Sequence, residues 1–152
     1  MAEPELTTTD ATTTAVIRGT VRMSEIADFY DRSFQEIGRT LAAQSLAPTG
    51  PAFGLYHGIP GETAELEVGF PTGRPVEPTG DVVAGSLPSG RVARLVHEGA
   101  FDGLGTSWER LGTWIGEQGL TPGSVFWEVY LTEPGPDVDP GTLRTELNWP
   151  VG

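Results

Sequence analysis

Two stretches of this sequence repeat each other, and the repeat restricts the possible folds more than any other feature. Residues 46–56 (LAPTGPAFGLY) align without a gap to residues 120–130 (LTPGSVFWEVY), which begin 74 positions later. The same spacing continues upstream, where an apolar stripe at residues 34–41 aligns with residues 108–115. Two similar halves typically pack about a pseudo-twofold axis, and ligands often bind between them.

Each half predicts the same order of secondary-structure elements. Alternating apolar residues predict strands, and apolar spacing of three or four predicts helices. The predicted strand, helix, strand and strand are residues 14–23, 24–41, 52–57 and 63–70 in the first half, and 90–97, 101–118, 124–131 and 143–149 in the second. The sequence therefore predicts an α+β fold, a tandem βαββ repeat with pseudo-twofold symmetry. Its curved antiparallel sheet would carry two helices on one face and a ligand cleft on the other.

The domain boundaries follow from composition. Residues 1–13 are polar and Thr-rich and have no apolar period, so we expect a disordered tail there. Residues 14–152 would form one domain, with halves of about 14–72 and 88–151. The tail lacks the basic and apolar regions of a signal peptide, no apolar run is long enough for a membrane helix, and cysteine is absent. These features predict a cytoplasmic protein without disulfides.

The charge balance bears on possible partners. The chain carries 21 acidic residues against nine arginines, has no lysine, and has a net charge of −12. Such a surface repels phosphate backbones, so we expect no direct nucleic-acid binding and no membrane partner. The same charge favours cationic small molecules, although excess carboxylate also simply keeps a protein dispersed. His57 and His97 stand alone, so we expect neither a metal site nor a cofactor.

Side-chain alternation selects the candidate site. If Leu147 and Trp149 face the helices, Glu146 and Asn148 face away from them, and Glu67 does so in the first half. In residues 124–131 we assign Trp127, Val129 and Leu131 to the helix-facing core. This assignment places the candidate ligand-binding residues together on the opposite sheet face, namely Tyr56, Glu67, Phe126, Glu128, Tyr130, Glu146 and Asn148.

Carboxylates framed by aromatic rings suit planar, aromatic or cationic ligands. The rings offer stacking and cation–π attraction of about 0.5–2 kcal/mol each, and a poorly hydrated carboxylate attracts positive charge strongly. The same surroundings raise the pKa of a glutamate toward the range of general acid–base catalysis. A wet sheet face with inert glutamates is the alternative interpretation.

Several segments resemble a known family. FWEVYLTEP at residues 126–134 and LRTELNWPV at 143–151 are similar to the closing signature of the GyrI-like small-molecule-binding family. HEGAFDGLGTSWERLGTWIGEQGL at 97–120, and GPAFGLYHG with ELEVGFP in the first half, also resemble that family. The resemblance implies a tandem βαββ fold of the SHS2-like kind. It also implies an effector cleft in which Glu128 contacts bound drugs, with Glu146 as the companion acid.

The resemblance leaves three functions open. Relatives are commonly fused to a helix-turn-helix reader, and the 13-residue tail leads us to expect a stand-alone member. The first function is binding of drugs or toxins, which would protect the cell by sequestration. The second is hydrolysis of the cyclopropane ring of DNA-alkylating natural products, with Glu128, Glu146 and Tyr130 as catalytic residues. The third, inhibition of gyrase through the acidic surface, rests on the family name alone.

Overall fold

The computed structural model describes residues 3–132 and 138–152. Its strands are β1 (Glu5–Thr9), β2 (Thr12–Arg22), β3 (Phe53–His57), β4 (Thr63–Pro71), β5 (Val83–Leu87), β6 (Gly90–Glu98), β7 (Val125–Tyr130) and β8 (Arg144–Pro150). Its helices are α1 (Ile26–Ala43) and α2 (Leu104–Glu117). Within these ranges, neither helix has the length and apolar character needed to cross a membrane.

The helices form where the apolar period of the sequence predicts them. Phe29, Ile37 and Leu41 are the buried apolar residues of α1, and they pack on the sheet. In α2 the equivalent residues are Leu111 and Ile115, which lie 74 positions after Ile37 and Leu41. Burying one apolar stripe stabilises each helix far more than helix propensity does. The two halves therefore use the same stripe to attach a helix to the sheet.

All eight strands form one antiparallel sheet whose order shows the duplication. The order is β1-β6-β8-β7-β3-β4-β2-β5, and reading it from either end gives equivalent strands of the two halves. β3 and β7 pair at the centre, with Gly54 opposite Glu128 and Tyr56 opposite Phe126. The predicted α+β fold, with a curved antiparallel sheet and two helices, is confirmed.

The two outermost strands are exchanged between the halves. β1 precedes β2 in the chain but pairs with β6, whereas β5 precedes β6 but pairs with β2. The expectation of a disordered tail therefore differs from the structure, since Glu5–Thr9 is a paired strand. Threonine favours extended backbone, and the open edge of β6 offers the hydrogen-bonding groups that such a strand needs. The exchange ties the two halves to each other.

The sheet is buried on both faces. On the helix face the apolar residues form two clusters, one around each helix. On the opposite face a third cluster includes Val16 of β2, Phe53 and Leu55 of β3, Val92 of β6 and Trp127 of β7. Val16 and Val92 belong to strands near opposite ends of the sheet order, so only a curved sheet can enclose both of them. Central strands consequently have apolar residues at consecutive positions.

We predict that Gly69→Ala destabilises the fold, because its new methyl group would collide with the backbone carbonyl oxygen of Ala15 on the neighbouring strand. The expected cost is about 1–3 kcal/mol, as for other overpacked cores. Gly38→Ala in α1 is the matched control: its methyl group meets no atom within 4 Å. Removing a helical glycine should stabilise by about 0.5–1 kcal/mol. Thermal unfolding of both variants is the measurement. A higher melting temperature for Gly69→Ala than for Gly38→Ala would contradict this packing.

Candidate functional site

A cavity of about 640 Å³ lies on the helix face of the sheet, and this volume is typical of small-molecule sites. Its wall is formed by α2, by the centre of the sheet and by the turn between β3 and β4. The lining residues are Met23, Tyr56, Ile59, Pro60, Leu104, Gly105, Trp108, Glu109, Gly112, Thr113, Phe126, Glu128 and Trp149. Most are apolar or aromatic, and Glu128 and Glu109 are the acidic ones.

Glu128 is the buried charged group of this cavity. It lies in the middle of β7, with Leu147 of β8 on one side and Gly54 of β3 on the other, and its exposed fraction is 8%. The indole N–H of Trp108 donates to Oε1 at 3.0 Å, and the Tyr130 hydroxyl lies 2.9 Å from Oε2. Both carboxylate oxygens therefore have a hydrogen-bond donor, which a buried carboxylate requires.

Three phenols continue the hydrogen-bond network behind Glu128. The Tyr130 hydroxyl lies 3.0 Å from that of Tyr30, and the Tyr30 hydroxyl lies 2.9 Å from that of Tyr56. These are all three tyrosines of the sequence. They come from α1, β3 and β7, so the network joins both halves of the molecule. It also links the carboxylate to Tyr56, which lines the cavity.

Gly54 provides the space that this network needs. A methyl group at Gly54 would collide with the hydroxyl of Tyr30 and would lie 3.2 Å from that of Tyr130. Gly54 is directly opposite Glu128 in the β3–β7 pair. Because glycine has no side chain, Tyr30 of α1 can reach over the sheet to the carboxylate side of the site.

The surroundings shift the protonation equilibrium of Glu128. Burial raises the pKa of the Glu128 carboxyl above the 4.5 of an exposed glutamate. The hydrogen bonds from Trp108 and Tyr130 oppose this effect, as does the nearby His97. Burial prevails, so the pKa of Glu128 is raised above that of an ordinary glutamate.

Aromatic rings form the rest of the floor. Tyr56 and Phe126 stack with ring centroids 5.4 Å apart and planes inclined by 10°. The indole of Trp108 lies 4.7 Å from the ring of Phe126 and 5.7 Å from Trp149. This continuous ring surface ends at Glu128, so an aromatic ligand could contact rings and carboxylate together. Among the described residues, no group of three His, Asp or Glu side chains is placed to hold a metal ion.

The structure brings together four of the seven predicted ligand-binding residues. Tyr56, Phe126 and Glu128 line the cavity, and Tyr130 contacts Glu128. They lie on the helix face, however, and the prediction that they face away from the helices is wrong. Trp127 and Val129 pack on the opposite face instead. The error arose because β7 is buried on both faces, so its alternation does not reveal which face meets the helices.

The other three predicted residues lie on the far side of the sheet. Alternation from Leu147, which packs against α2, places Glu146 and Asn148 on the face opposite the helices. Glu67 shares that face, directly opposite Leu55 of the Trp127 cluster. The prediction that Glu128 and Glu146 converge in one hollow is therefore wrong. A catalytic pair of Glu128 and Glu146 does not fit this geometry.

Arginine side chains form ion pairs with Glu67 and Glu146 on this far face. Oε2 of Glu67 lies 3.2 Å from Nε of Arg18 and 3.3 Å from Nε2 of His57. Arg94 donates to Asn148 at 2.8 Å, and its Nε lies 3.4 Å from Glu146. These contacts satisfy polar groups at the two ends of a mainly apolar face. They give Glu67 and Glu146 structural partners.

Sequence reasoning missed three residues of the site. The apolar stripe placed Trp108 in the core, strand alternation did the same for Trp149, and no sequence feature selected Tyr30. Only the structure shows that Tyr30 and Trp108 bond to the network and that Trp108 and Trp149 line the cavity. A signal was nevertheless present in Trp108, since a buried indole N–H requires an acceptor. No sequence pattern names Glu128 as that acceptor.

Comparisons with known proteins identify the kind of domain. The profile of the family described as "GyrI-like small molecule binding domain" matches residues 2–151. No match was found among curated proteins. The C-terminal domain of EcmrR aligns with 18% identity and a TM-score of 0.88, covering 100% of this chain and 98% of that one. In the structure of EcmrR with DNA, which aligns with 19% identity and a TM-score of 0.85 over 99% of this chain, the match spans 57% of that protein.

Two further solved structures share the fold. SAV2435, solved with tetraphenylphosphonium bound, aligns with 20% identity and a TM-score of 0.70, covering 99% of this chain and 94% of that one. A Listeria innocua protein named as a hydrolase and encoded by lin2189 aligns with 15% identity and a TM-score of 0.70. That alignment covers 99% of this chain and 92% of the Listeria protein.

We predict that none of the three tyrosines ionises near pH 10 in the folded protein. Burial raises the pKa of Tyr56 to about 12 and the pKa values of Tyr30 and Tyr130 well above 10.0. Unfolded phenols ionise near pH 10, so the unfolded chain holds fewer protons above that pH and stability falls as pH rises. Tyrosinate absorbance should appear only with alkaline unfolding, followed by circular dichroism. Ionisation of a folded tyrosine near pH 10 would contradict the buried network.

Proposed function

The chain belongs to the family of GyrI-like small-molecule-binding domains, and from this premise we propose that it binds aromatic cations in the cavity over Glu128. Binding would protect a cell from such compounds by sequestration. The single observation that carries the proposal is the buried carboxylate of Glu128 at the end of a continuous aromatic floor.

The charge of the site supports a cationic ligand. Glu128 is 8% exposed, so little solvent screens its charge, and Coulomb attraction is several-fold stronger near such a group than in water. Its two hydrogen-bond donors, Trp108 and Tyr130, are neutral, so they leave the negative charge of the ionised form uncompensated. A cation in the cavity would supply the compensating charge. The overall charge of −12 also attracts cations toward the protein.

The wall of the cavity supports an aromatic ligand. The rings of Trp108, Phe126 and Tyr56 offer stacking and cation–π contacts, each of about 0.5–2 kcal/mol. Besides Trp108, α2 contributes Gly105 and Gly112 to the lining, and their small size leaves room between helix and sheet. SAV2435, a structural relative, was solved with the aromatic cation tetraphenylphosphonium, which makes this compound a suitable first probe.

We predict that Glu128→Gln weakens binding of tetraphenylphosphonium at least tenfold. The amide keeps the size of the carboxyl but removes its charge, and tenfold corresponds to about 1.4 kcal/mol. Isothermal titration calorimetry at neutral pH measures the effect. Equal affinity of the variant and the wild type would show that Glu128 does not attract the cation.

A variant that fills the cavity can distinguish binding in the cavity from binding elsewhere on the acidic surface. Gly105 lines the cavity, and a Cβ atom there meets no atom within 4 Å, so Gly105→Leu should extend into the cavity without disturbing α2. Gly116→Leu is the matched control on the same helix, since that position is equally open and lies outside the described lining of the cavity. Gly105→Leu should abolish binding and Gly116→Leu should preserve it. Similar affinities would place the cation elsewhere on the protein.

Hydrolysis is the second candidate, and the raised pKa of Glu128 favours it. Glu128 would take a proton from water while the water oxygen attacks a carbon of a strained ring. The electrons of the broken carbon–carbon bond would pass to a conjugated carbonyl oxygen, which would then be protonated. Because Glu146 lies on the other sheet face, Glu128 would act without it.

We predict that, if turnover occurs, a spirocyclopropane alkylator incubated in oxygen-18 water gains one labelled oxygen in a ring-opened product. Glu128→Gln should lose at least a hundredfold in rate, the usual size of a general acid–base contribution. Mass spectrometry of the products is the measurement. Recovery of the intact compound after prolonged incubation with wild-type protein would exclude this reaction and leave binding alone.

A further inference from the structure

A second cavity, of about 420 Å³, lies beside α1 in the first half of the molecule. It is formed by α1, by the loop that follows this helix and by the end of β4, and it shares no described lining residue with the cavity over Glu128. Its volume falls within the range of small-molecule sites. Most of its lining is apolar, and the described lining contains no charged side chain. Such a cavity favours neutral ligands over charged ones.

A difference between the two halves accounts for this space. In the second half, a Cβ atom at Gly112 of α2 would lie 3.4 Å from Cζ3 of the Trp149 ring. The equivalent residues of the first half are Gly38 of α1 and Phe70, since Phe70-Pro71 ends β4 as Trp149-Pro150 ends β8. A Cβ atom at Gly38 would meet no atom within 4 Å. The smaller phenyl ring therefore leaves open the space beside α1 that the indole reaches beside α2.

Ser45, which follows α1, is the polar side chain of the lining. Its φ of 54° lies in the left-handed region that favours glycine. The equivalent residue after α2 is Gly119, with a φ of 73°. Both helices end with the same hydrogen bond, because the N–H groups of Ser45 and Gly119 donate to the carbonyls of Ala42 and Gly116. The first half thus has a serine where the backbone favours glycine.

The hydroxyl of Ser45 is not needed to end the helix. Within residues 3–132 and 138–152 it makes no hydrogen bond, and the helix ends through backbone groups alone. Backbone strain of this kind is concentrated at binding and catalytic sites. The hydroxyl can donate one hydrogen bond and accept others. It is therefore available to a ligand at the edge of an otherwise apolar cavity.

Phe34 of α1 and Phe70 of β4 form the aromatic wall of the same cavity. Their ring centroids are 5.5 Å apart, with planes inclined by 60°, and both side chains are half-buried. Aromatic pairs at such distances and inclinations attract each other beyond the burial of their area. A third ring can extend this contact. The wall therefore favours an aromatic ligand over an aliphatic one of the same size.

We propose that the cavity beside α1 is a second binding site, which takes neutral aromatic molecules that carry a hydroxyl group. Phe34 and Phe70 contact the ring system, and Ser45 forms a hydrogen bond with the hydroxyl of the ligand. The site does not depend on Glu128, because its ligands carry no charge and its lining is separate. The two halves of the duplicated scaffold would then hold two cavities with different ligand chemistry.

The experiment compares 2-naphthol with naphthalene, which share a ring system and differ in one hydroxyl. Both are neutral at neutral pH, and their affinities are measured by NMR titration of the nitrogen-15-labelled protein. The amide signals of Ala42 and Ala47, which line the cavity, should move. The wild type should bind 2-naphthol about three- to tenfold more tightly than naphthalene, the equivalent of one neutral hydrogen bond.

Steric variants assign the shifts to this cavity. Gly38→Leu, at a position where a Cβ atom meets no atom within 4 Å, should extend into the cavity and abolish the shifts. Gly105→Leu, which extends into the cavity over Glu128, should preserve them. Gly116→Leu is the matched control, since Gly116 is equally open and lies outside the described lining of both cavities.

Two substitutions at Ser45 separate binding from folding. Ser45→Gly removes the hydroxyl and relieves the backbone strain, so the melting temperature should rise by about 2–4 °C while the preference for 2-naphthol falls to about one. Ser45→Ala removes the hydroxyl but keeps the strain, so the preference should fall equally with no gain in melting temperature. A serine with a purely structural role would lower the melting temperature when replaced by glycine and would leave the preference unchanged.

Three outcomes would overturn the proposal. The first is a 2-naphthol preference that persists in both Ser45 variants. The second is the absence of shifts at Ala42 and Ala47 when 2-naphthol is added up to its solubility. The third is a shift of these signals with protein concentration alone, which would show that a second copy of the chain covers the cavity. Tetraphenylphosphonium binding over Glu128 is measured separately, so none of these outcomes decides the proposed function.

Discussion

The burial of one carboxylate is the constraint on which the site depends. An ionised glutamate that is 8% exposed costs several kcal/mol unless donors reach its oxygens. Trp108 from α2 and Tyr130 from β7 supply them, and Tyr30 from α1 supports Tyr130. The helices α1 and α2 and the strand β7 are thereby fixed in position around one charged group. The remaining deficit of positive charge is what a cationic ligand would fill.

The duplication explains where this constraint falls. The shift of 74 residues that aligns the halves places Gly54 on Glu128 and Tyr30 on Leu104. The first half thus has no acid at the equivalent position, and its larger Tyr30 closes the space over Gly54. The second half has the acid and the smaller Leu104 beside it, so the cavity opens on the side of α2. These two differences between equivalent positions accompany the asymmetry of the site.

The sequence was sufficient for the elements and for part of the site. Alternation, helical period and the repeat predicted all strands of the tandem unit and both helices, and they selected Tyr56, Phe126, Glu128 and Tyr130. They could not assign the face, because β7 carries buried residues on both sides, with Trp127 in one cluster and Phe126 in another. Glu67 and Glu146 followed the alternation of their own strands correctly, but a long-range register places them across the sheet from Glu128. Such register depends on tertiary pairing, which a single sequence does not encode locally.

The separation of apolar and polar contacts has a consequence for selectivity. Rings such as Trp108 and Phe126 attract most flat ligands by similar amounts, so they contribute affinity with little discrimination. Discrimination then falls to the few polar atoms at one end of the floor, the Glu128 carboxylate and the Tyr56 hydroxyl. A site of this construction tolerates wide variation in the ring system and responds sharply to charge and hydrogen-bonding character.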